Sequence, residues 1–235
     1  FGETFYLDGI SIHPDQFYKK LDTSRIYPTT SQPSFKDFYN RYNYLSSHYD
    51  SIIGIQLSAK LSGTWQNSLN AANKVAEQTG KTIEVINSKK LSSALGLIVL
   101  RAARAIEQGK THDEIVALLP SWSLKTKQLA STETMKYLIK SGRVNASRGI
   151  IGRLLRIKPM LEVNASGLVI PFAKPISSKK SRNLLFSEMA SFVNGKKVWG
   201  YALAHAENPE TVEWLTRRLE TIIGKPPEFV YSITP

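Results

Sequence analysis

The feature that most constrains the fold is an apolar run over residues 51–55, which leads through a hydroxyl-rich turn into a helical pattern over residues 65–79. A short apolar run of this kind is typical of a buried strand, and a second one follows over residues 82–86. Strand, helix and strand in this order indicate a parallel sheet, because parallel neighbours need a crossover connection. The sequence therefore predicts an α/β protein.

Periodicity and turn residues predict the other elements. Before the first strand we expect a short strand over residues 5–7, a helix over 14–21 opened by proline, and an amphipathic aromatic helix over 35–48. After residue 86 we expect helices over 91–108 and 112–120, a strand over 128–131, helices over 133–140 and 145–152, a hairpin of strands 157–163 and 167–173, a helix over 180–193, a strand over 197–204, a helix over 209–223 and a strand over 228–233.

The pattern changes after Trp122, from regular alternation of strands and helices to hairpin and mixed elements. We therefore expect an N-terminal α/β domain with a parallel sheet over residues 1–124 and a mixed α/β C-terminal domain over residues 125–235. The chain has no linker rich in serine or glycine, so the two domains are expected to pack closely.

Ser62, Gly63 and Thr64 stand between the first predicted strand and its helix. Free amide groups at a helix start carry the positive end of the helix dipole and can bind an anion, to which serine and threonine hydroxyls add neutral donors. The same residue types are also common helix caps and turn formers without any ligand. For this turn alone the capping interpretation is favoured, but a second hydroxyl-rich turn over residues 28–34, between two prolines, shifts the balance toward an anion site.

Composition excludes several classes of site. The chain has no cysteine, which rules out disulfides and thiolate metal sites and agrees with a reducing cytoplasm. No apolar run approaches the roughly 20 residues that span a bilayer, and no signal peptide is visible. The four histidines are isolated, and glycine-rich nucleotide loops are absent, so we expect no metal and no cofactor.

The net charge of +12 favours an anionic partner. The basic residues are spread in short doublets, and no nucleic-acid recognition motif accompanies them. We therefore expect a phosphate-bearing partner or a transient contact with an acidic membrane surface, and no nucleic acid.

Several strings match one known family in order along nearly the whole chain. They are Asp8-Gly9-Ile10, Pro28-Thr29-Thr30-Ser31-Gln32-Pro33-Ser34, Leu57-Ser58, Leu61-Ser62-Gly63-Thr64, Val85-Ile86-Asn87-Ser88, Ser141-Gly142-Arg143-Val144, Leu154-Leu155 and Lys158-Pro159-Met160-Leu161. In these strings the chain resembles the DegV family of bacterial fatty-acid-binding proteins. The two hydroxyl-rich strings at their spacing are the most specific part of the resemblance.

The resemblance implies a carrier that holds a long-chain fatty acid between two domains. It implies that Thr29, Thr30 and Ser62 bind the carboxylate, with support from Gly63 and Thr64. It implies no catalytic residue in the carrier, because a soluble fatty acid kinase makes the acyl phosphate from the presented acid, for phospholipid synthesis in the cytoplasm. It also implies that both domains are trimmed, since the family's first and last segments have no counterpart here.

Two further residues bear on the partner. The resemblance places Arg143 near the ligand head group or the partner, while its position after Ser-Gly equally fits a surface arginine behind a helix C-cap. The family commonly has an arginine, associated with phosphoryl transfer, at the position of Ile176. Isoleucine there puts transfer to the kinase in doubt, although Lys179, Lys180 and Arg182 lie nearby.

Two alternatives come from other functional classes. One is a serine-dependent acyl hydrolase with Ser62 as nucleophile, for which the sequence lacks Gly-x-Ser-x-Gly and a placed histidine base. The other is a basic surface-binding protein, which would show a steep dependence of affinity on salt.

Overall fold

The computed structural model describes residues 1–134, 136–143 and 158–234. The chain forms two compact units, which are described separately. The first unit consists of Phe1–Ser31 and Arg182–Pro235, and the second of Gln32–Ser181. The predicted α/β class is confirmed, because each unit contains a parallel pair of strands together with helices.

The described elements follow the predicted order closely. The helices are α1 (Pro14–Thr23), α2 (Phe35–Ser46), α3 (Thr64–Thr79), α4 (Ser92–Glu107), α5 (His112–Lys125), α6 (Lys136–Ser141), α7 (Ser178–Val193) and α8 (Pro209–Ile223). The strands are β1 (Ser51–Gln56), β2 (Thr82–Asn87), β3 (Leu129–Ser131), β4 (Met160–Val163), β5 (Val169–Ala173), β6 (Ala202–His205) and β7 (Phe229–Ser232). The helix predicted over 145–152, the start of the strand predicted over 157–163, and the matches at Val144 and Leu154-Leu155 lie outside the described residues.

The second unit is organised around the parallel pair β1–β2, in which Ser51 pairs with Thr82 and Gln56 with Asn87. Successive residues of a strand point to opposite faces, so each face needs its own cover. Ile53 and Ile55 pack against the core formed by α4 and α5, whereas Ile52 packs against the core formed by α2 and α3. Helices therefore cover both faces of this pair.

The remaining sheet of the second unit is antiparallel, with β4 between β3 and β5. The predicted hairpin is confirmed: β4 and β5 join through a turn in which the Gly167 amide donates to the Asn164 carbonyl at 3.0 Å. The Asn164 side-chain oxygen accepts from the Ser166 and Leu168 amides, both at 3.0 Å. These bonds satisfy the turn from within, as asparagine commonly does.

The first unit contains α1, the parallel pair β6–β7, α8 and most of α7. Its core gathers around Tyr201, Leu215 and Leu219. Its two chain segments are joined by hydrogen bonds: the Tyr18 hydroxyl donates to the Ile233 carbonyl at 2.8 Å, and the Thr234 hydroxyl bonds to the Asp8 carboxylate.

The domain division expected from the sequence does not coincide with these units, because the boundary after residue 124 lies inside the second unit. Residues on the two sides of this boundary are joined by hydrogen bonds. The Gln128 side chain donates to the Leu91 carbonyl at 2.8 Å and accepts from the Leu91 amide at 3.2 Å. The change of pattern after Trp122 coincides with the start of a new sheet inside the second unit, and the domain boundary expected near residue 124 stays a prediction.

Two local predictions are corrected. Residues 5–7 do not form a strand: Phe5 is 94% exposed, and the Leu7 carbonyl closes a turn by accepting from the Ser11 amide at 2.9 Å. Helix α5 does not end at Pro120 but continues to Lys125. Pro120 removes one backbone donor from the helix, which favours an end at this point. Burial of Trp122 in the adjoining core stabilises the turn that follows it.

Gly54 is the point where β1 comes closest to α2. A Cβ at Gly54 would lie 2.2 Å from the Tyr42 hydroxyl oxygen, and that hydroxyl bonds to the buried Ser68 hydroxyl at 2.6 Å. We predict that Gly54→Ala lowers the free energy of unfolding by about 1–3 kcal/mol, because the new methyl group displaces the tyrosine from a packed core. Chemical denaturation measures this.

Tyr42→Phe provides the control for this prediction. It removes the clashing oxygen and leaves the ring carbon Cζ, 3.3 Å from the added Cβ, as the nearest atom of residue 42. Gly54→Ala should therefore cost less in the Tyr42→Phe background than in the natural chain. Equal costs in both backgrounds would show that the Tyr42 hydroxyl is not what excludes a side chain at residue 54.

Candidate anion site at the carboxyl end of strand β1

The predicted anion-binding turn lies at the carboxyl end of β1, where ligands commonly bind in open parallel α/β sheets. We call residues 57–63 the site loop. It connects β1 to α3, whose N-cap is Gly63 and whose first residue is Thr64. The amides in the first turn of such a helix have no partners within the helix, so they face outward with the positive end of the dipole.

Ser62 and Thr64 form a small hydroxyl cluster at this helix start. Their hydroxyl oxygens are 2.8 Å apart, and the Thr64 amide donates to the Ser62 hydroxyl oxygen at 3.2 Å. Thr64 is buried and Ser62 is half-buried. The structure therefore places Ser62, Gly63 and Thr64 at a helix start, as the sequence predicted. Their role toward a ligand stays a prediction.

The end of the second hydroxyl-rich string packs against the same helix start. The Asn67 side-chain amide donates to the Pro33 carbonyl at 2.9 Å. The Gln32 side chain lies so close to Gly63 that a Cβ there would be 2.5 Å from the Gln32 Oε1 atom. The two motifs that stand about 30 residues apart in the sequence thus meet at the first turn of α3.

Thr29 and Thr30 are exposed and belong to the first unit, immediately before the chain enters the second unit at Gln32. Two peptide links separate Thr30 from Gln32, so their Cα atoms are at most about 7 Å apart. Whether Thr29 and Thr30 bind the same ligand as Ser62 stays a prediction.

Arg143 is exposed, just after the end of α6. Its guanidinium donates to the Ser141 carbonyl at 2.6 Å, and Gly142 has a φ of 71°. Both features belong to the ordinary end of a helix, where glycine takes the left-handed conformation and a cation meets the last carbonyls. The contact of Arg143 with a head group or partner stays a prediction.

Asn87 was not singled out from the sequence as a functional residue, although it supports the site loop directly. Its side-chain oxygen accepts from the Ala59 amide at 3.3 Å and from the Lys89 amide at 3.0 Å. It thereby ties the loop after β1 to the loop after β2. The available signal was its position directly behind the second predicted strand, because parallel strands end at the same edge.

Lys90 is a buried cation in the loop after β2, with 5% of its surface exposed. Burial lowers the pKa of its ammonium group, and the Glu162 carboxylate partly opposes that shift. A cation near a low-dielectric interior loses hydration, which makes it costly to keep charged. The hydroxyl cluster itself contains no charged group.

The described residues give Ser62 no activating base. Its hydroxyl pairs with the Thr64 hydroxyl and amide, neither of which removes a proton at neutral pH. In the part of the chain that the structure describes, no group of three acidic or histidine side chains could hold a metal ion. The arrangement supplies neutral hydrogen-bond donors of the kind that orient an anion without a covalent step.

Comparison with known proteins identifies the class of this two-unit α/β protein. The model of the DegV family, described as uncharacterised proteins of COG1307, matches residues 1–234. The chain belongs to the DegV family.

A DegV domain-containing protein of Clostridium perfringens is 31% identical over 219 residues, covering 92% of this chain and 75% of that protein. This chain spans 61% to 75% of the length of the curated DegV relatives from Clostridium and Caldanaerobacter that it matches.

Two solved structures illustrate the shared fold. A fatty acid binding DegV family protein of Streptococcus agalactiae is 27% identical with a TM-score of 0.82, covering 96% of this chain and 78% of that one. The Streptococcus pneumoniae Fatty Acid Kinase (Fak) B3 protein, loaded with linoleic acid, is 22% identical with a TM-score of 0.82, covering 99% and 80%. The second likeness shows the fold alone.

Ser34, the last residue of the proline-bracketed string, begins α2. The Asp37 amide donates to its hydroxyl oxygen at 3.2 Å, and the Asp37 carboxylate accepts from the Ser34 amide at 2.8 Å. The Ser34 hydroxyl also donates to the Asp37 carboxylate at 2.7 Å, and this bond first, then the one from the Ser34 amide, lowers the pKa of Asp37. A carboxyl group with a lowered pKa contributes stability above its unfolded pKa, and this contribution is lost as the pH falls through the folded value.

We predict that Ser34→Ala raises the pKa of Asp37 toward its ordinary value. The free energy of unfolding should then fall less between neutral and acidic pH than it does in the natural chain. NMR titration of the Asp37 carboxyl group and denaturation at neutral and acidic pH measure both effects. An unchanged Asp37 pKa in the variant would contradict the assigned capping bonds.

Proposed function

We propose that this protein binds the carboxylate of a long-chain fatty acid at the Ser62-Gly63-Thr64 helix start and carries the acid without catalysis of its own. The observation that carries the proposal is the meeting of the two hydroxyl-rich motifs at the first turn of α3, with Gln32 against Gly63. Hydroxyl and amide donors at the positive end of a helix match the charge and shape of a carboxylate. Thr29 and Thr30, directly upstream of Gln32, complete the proposed set.

The relatives support a lipid as the ligand. The Streptococcus agalactiae relative, at 27% identity, is described as a fatty acid binding DegV family protein. Each CH₂ group of an acyl chain that is removed from water contributes about 0.8 kcal/mol of binding free energy. Burial of the acyl chain alone can therefore hold a long-chain acid firmly. The head group then needs orientation more than strength.

Neutral donors suit a carboxylate that has to react later. A buried ion pair would carry a large desolvation cost and would hold the carboxylate in place, whereas hydroxyl groups bind it and leave it available. The absence of a base at Ser62 among the described residues favours this role over the alternative of a serine-dependent acyl hydrolase.

The proposed partner is a fatty acid kinase that phosphorylates the presented acid in the cytoplasm, as a step toward phospholipid synthesis. The Streptococcus pneumoniae protein with the same fold is named as a fatty acid kinase protein. In the described part of this chain, no helix has the length and apolar character needed to cross a membrane.

The second proposed partner is an anionic membrane surface, met transiently when the acid is collected or delivered. The second unit carries 22 lysines and arginines against 9 acidic residues, a net charge of +13, whereas the first unit carries 9 against 10, a net charge of −1. Positive charge concentrated in one unit attracts an acidic surface, and such attraction weakens as salt is added.

We predict that Thr30→Val and Ser62→Ala each weaken binding of a fluorescent fatty acid. A lost hydrogen bond to a charged carboxylate costs about 1.5–3 kcal/mol, which corresponds to a fall in affinity of roughly 10- to 150-fold. Titration measures the affinity, and native mass spectrometry of the purified natural chain identifies the acid that it carries.

Thr221→Val is the matched control, because Thr221 is an exposed helical threonine whose hydroxyl bonds only to the Arg217 carbonyl among the bonds described for it. It should bind the acid like the natural chain. The methyl ester of the same acid, which has no carboxylate charge, should bind the natural chain and the two site variants with similar affinity. Unchanged affinity for the acid in both site variants would exclude the proposed carboxylate site.

Ile176 generates a separate prediction about the kinase. It lies between β5 and α7, is 72% exposed, and has exposed lysines on either side at residues 174, 179 and 180. Isoleucine cannot donate a hydrogen bond, and a flexible lysine does not reproduce the planar fork of arginine toward a phosphate. We predict that Ile176→Arg increases the rate at which a cognate kinase phosphorylates the bound acid, with unchanged affinity for the acid.

Ile170 is also exposed but lies within β5, and Ile170→Arg therefore controls for the effect of an added positive charge. A gain in rate for both variants would assign the effect to general attraction. No change in either rate or kinase affinity for Ile176→Arg would show that residue 176 does not limit transfer.

A further inference from the structure

Ser58 lies at the start of the site loop and is completely buried, with 0% of its surface exposed. Its amide donates to the Lys90 carbonyl at 2.9 Å, and its carbonyl accepts from the Leu61 amide at 3.0 Å. Its hydroxyl donates to the Gly167 carbonyl at 2.8 Å and accepts from the Lys60 amide at 3.2 Å. Every polar group of this residue is therefore engaged.

These bonds join three separate segments of the second unit. Lys90 belongs to the loop after β2, Gly167 to the turn of the β4–β5 hairpin, and Lys60 to the site loop itself. Buried backbone groups in a loop need partners, because an unpaired donor or acceptor away from water is costly. The same holds for the buried Ser58 hydroxyl, whose donor is paired with the Gly167 carbonyl of the hairpin turn.

Gly167 fits this contact in two ways. Its φ of 87° is a conformation that favours glycine, and a Cβ there would lie 2.3 Å from the Ser58 hydroxyl oxygen and 3.2 Å from the Ser58 Cβ. The hairpin turn can approach the site loop this closely only because residue 167 has no side chain.

We infer that Ser58 is a positioning residue and that the Ser58–Gly167 contact fixes the conformation in which the site loop presents Ser62 and Thr64. The Leu61 amide closes a turn back onto the Ser58 carbonyl, and Ser62 follows immediately. A shift of Ser58 is therefore passed through one turn to the hydroxyl cluster. This inference rests on the proposed function for its binding measurement, but not for its structural one.

The first experiment compares Ser58→Ala with Ser68→Ala. Ser68 is also 0% exposed and bonds through its hydroxyl to Tyr42 and to the Gln56 side chain, neither of which belongs to the site loop. Both variants should lower thermal stability. Only Ser58→Ala should weaken fatty-acid affinity, by about fivefold or more, because only it leaves the Lys60 amide and the Gly167 carbonyl unpaired.

Hydrogen exchange of the ligand-free protein separates positioning from general destabilisation. The amides of Lys60 and Thr64 should exchange faster in Ser58→Ala than in Ser68→Ala when the two variants are compared under conditions that give them the same free energy of unfolding. The reason is that local opening is confined to the affected segment. Equal exchange at these amides in the two variants would overturn the inference. If the natural chain bound no fatty acid, the proposed function would fail while the exchange experiment would still decide the role of Ser58.

A double-mutant cycle tests the contact itself. Gly167→Ala should increase exchange at Lys60 strongly in the natural chain, because its methyl group displaces the Ser58 hydroxyl. In the Ser58→Ala background the clashing oxygen is gone, so the same substitution should have a smaller effect. Additive effects of the two substitutions would show that the hairpin turn does not act on the site loop through Ser58.

Discussion

Burial of both faces of the β1–β2 pair is the constraint on which the candidate site depends. Helices α2 and α3 cover one face and α4 and α5 the other, so the candidate site lies at the ends of the strands and not on a face of the pair. Because the strands are parallel, the loops after β1 and β2 leave the sheet side by side. The Ser88 amide bonds to the Gln56 carbonyl at 3.0 Å, which continues the ladder for one residue beyond the strands.

The two loops then satisfy each other's polar groups. The Asn87 side-chain oxygen accepts hydrogen bonds from one amide of each loop, and the Lys90 carbonyl accepts a hydrogen bond from the Ser58 amide. Mutual pairing of this kind makes the site loop rigid without any contribution from a ligand. A rigid loop that ends at a helix N-terminus presents its hydroxyl groups in one arrangement, which reduces the entropy lost on binding.

The distribution of charge complements this neutral site. The hydroxyl cluster contains no ionised group, and the buried Lys90 has a lowered pKa because it is desolvated. The large positive charge of the second unit is carried mainly by exposed lysines and arginines, which act over a longer range than hydrogen bonds. In the proposed function, attraction of an acidic partner and binding of a carboxylate thus belong to different parts of the same unit.

The sequence by itself determined the elements and the chemistry of the turns. Helix α8 has the predicted bounds, the β4–β5 hairpin forms around the predicted turn, and Ser62, Gly63 and Thr64 stand at a helix start. These features depend on neighbours within a few residues, where apolar period, capping and turn preference act directly.

The tertiary structure alone decided which segments meet. The sequence contains no signal that Tyr18 bonds to the Ile233 carbonyl, or that Gly167 covers Ser58 across more than 100 residues of chain. An apolar period shows which face of an element is buried, but not which other element buries it. The division into units and the support of the site loop therefore followed from packing between segments distant in sequence, which local patterns do not encode.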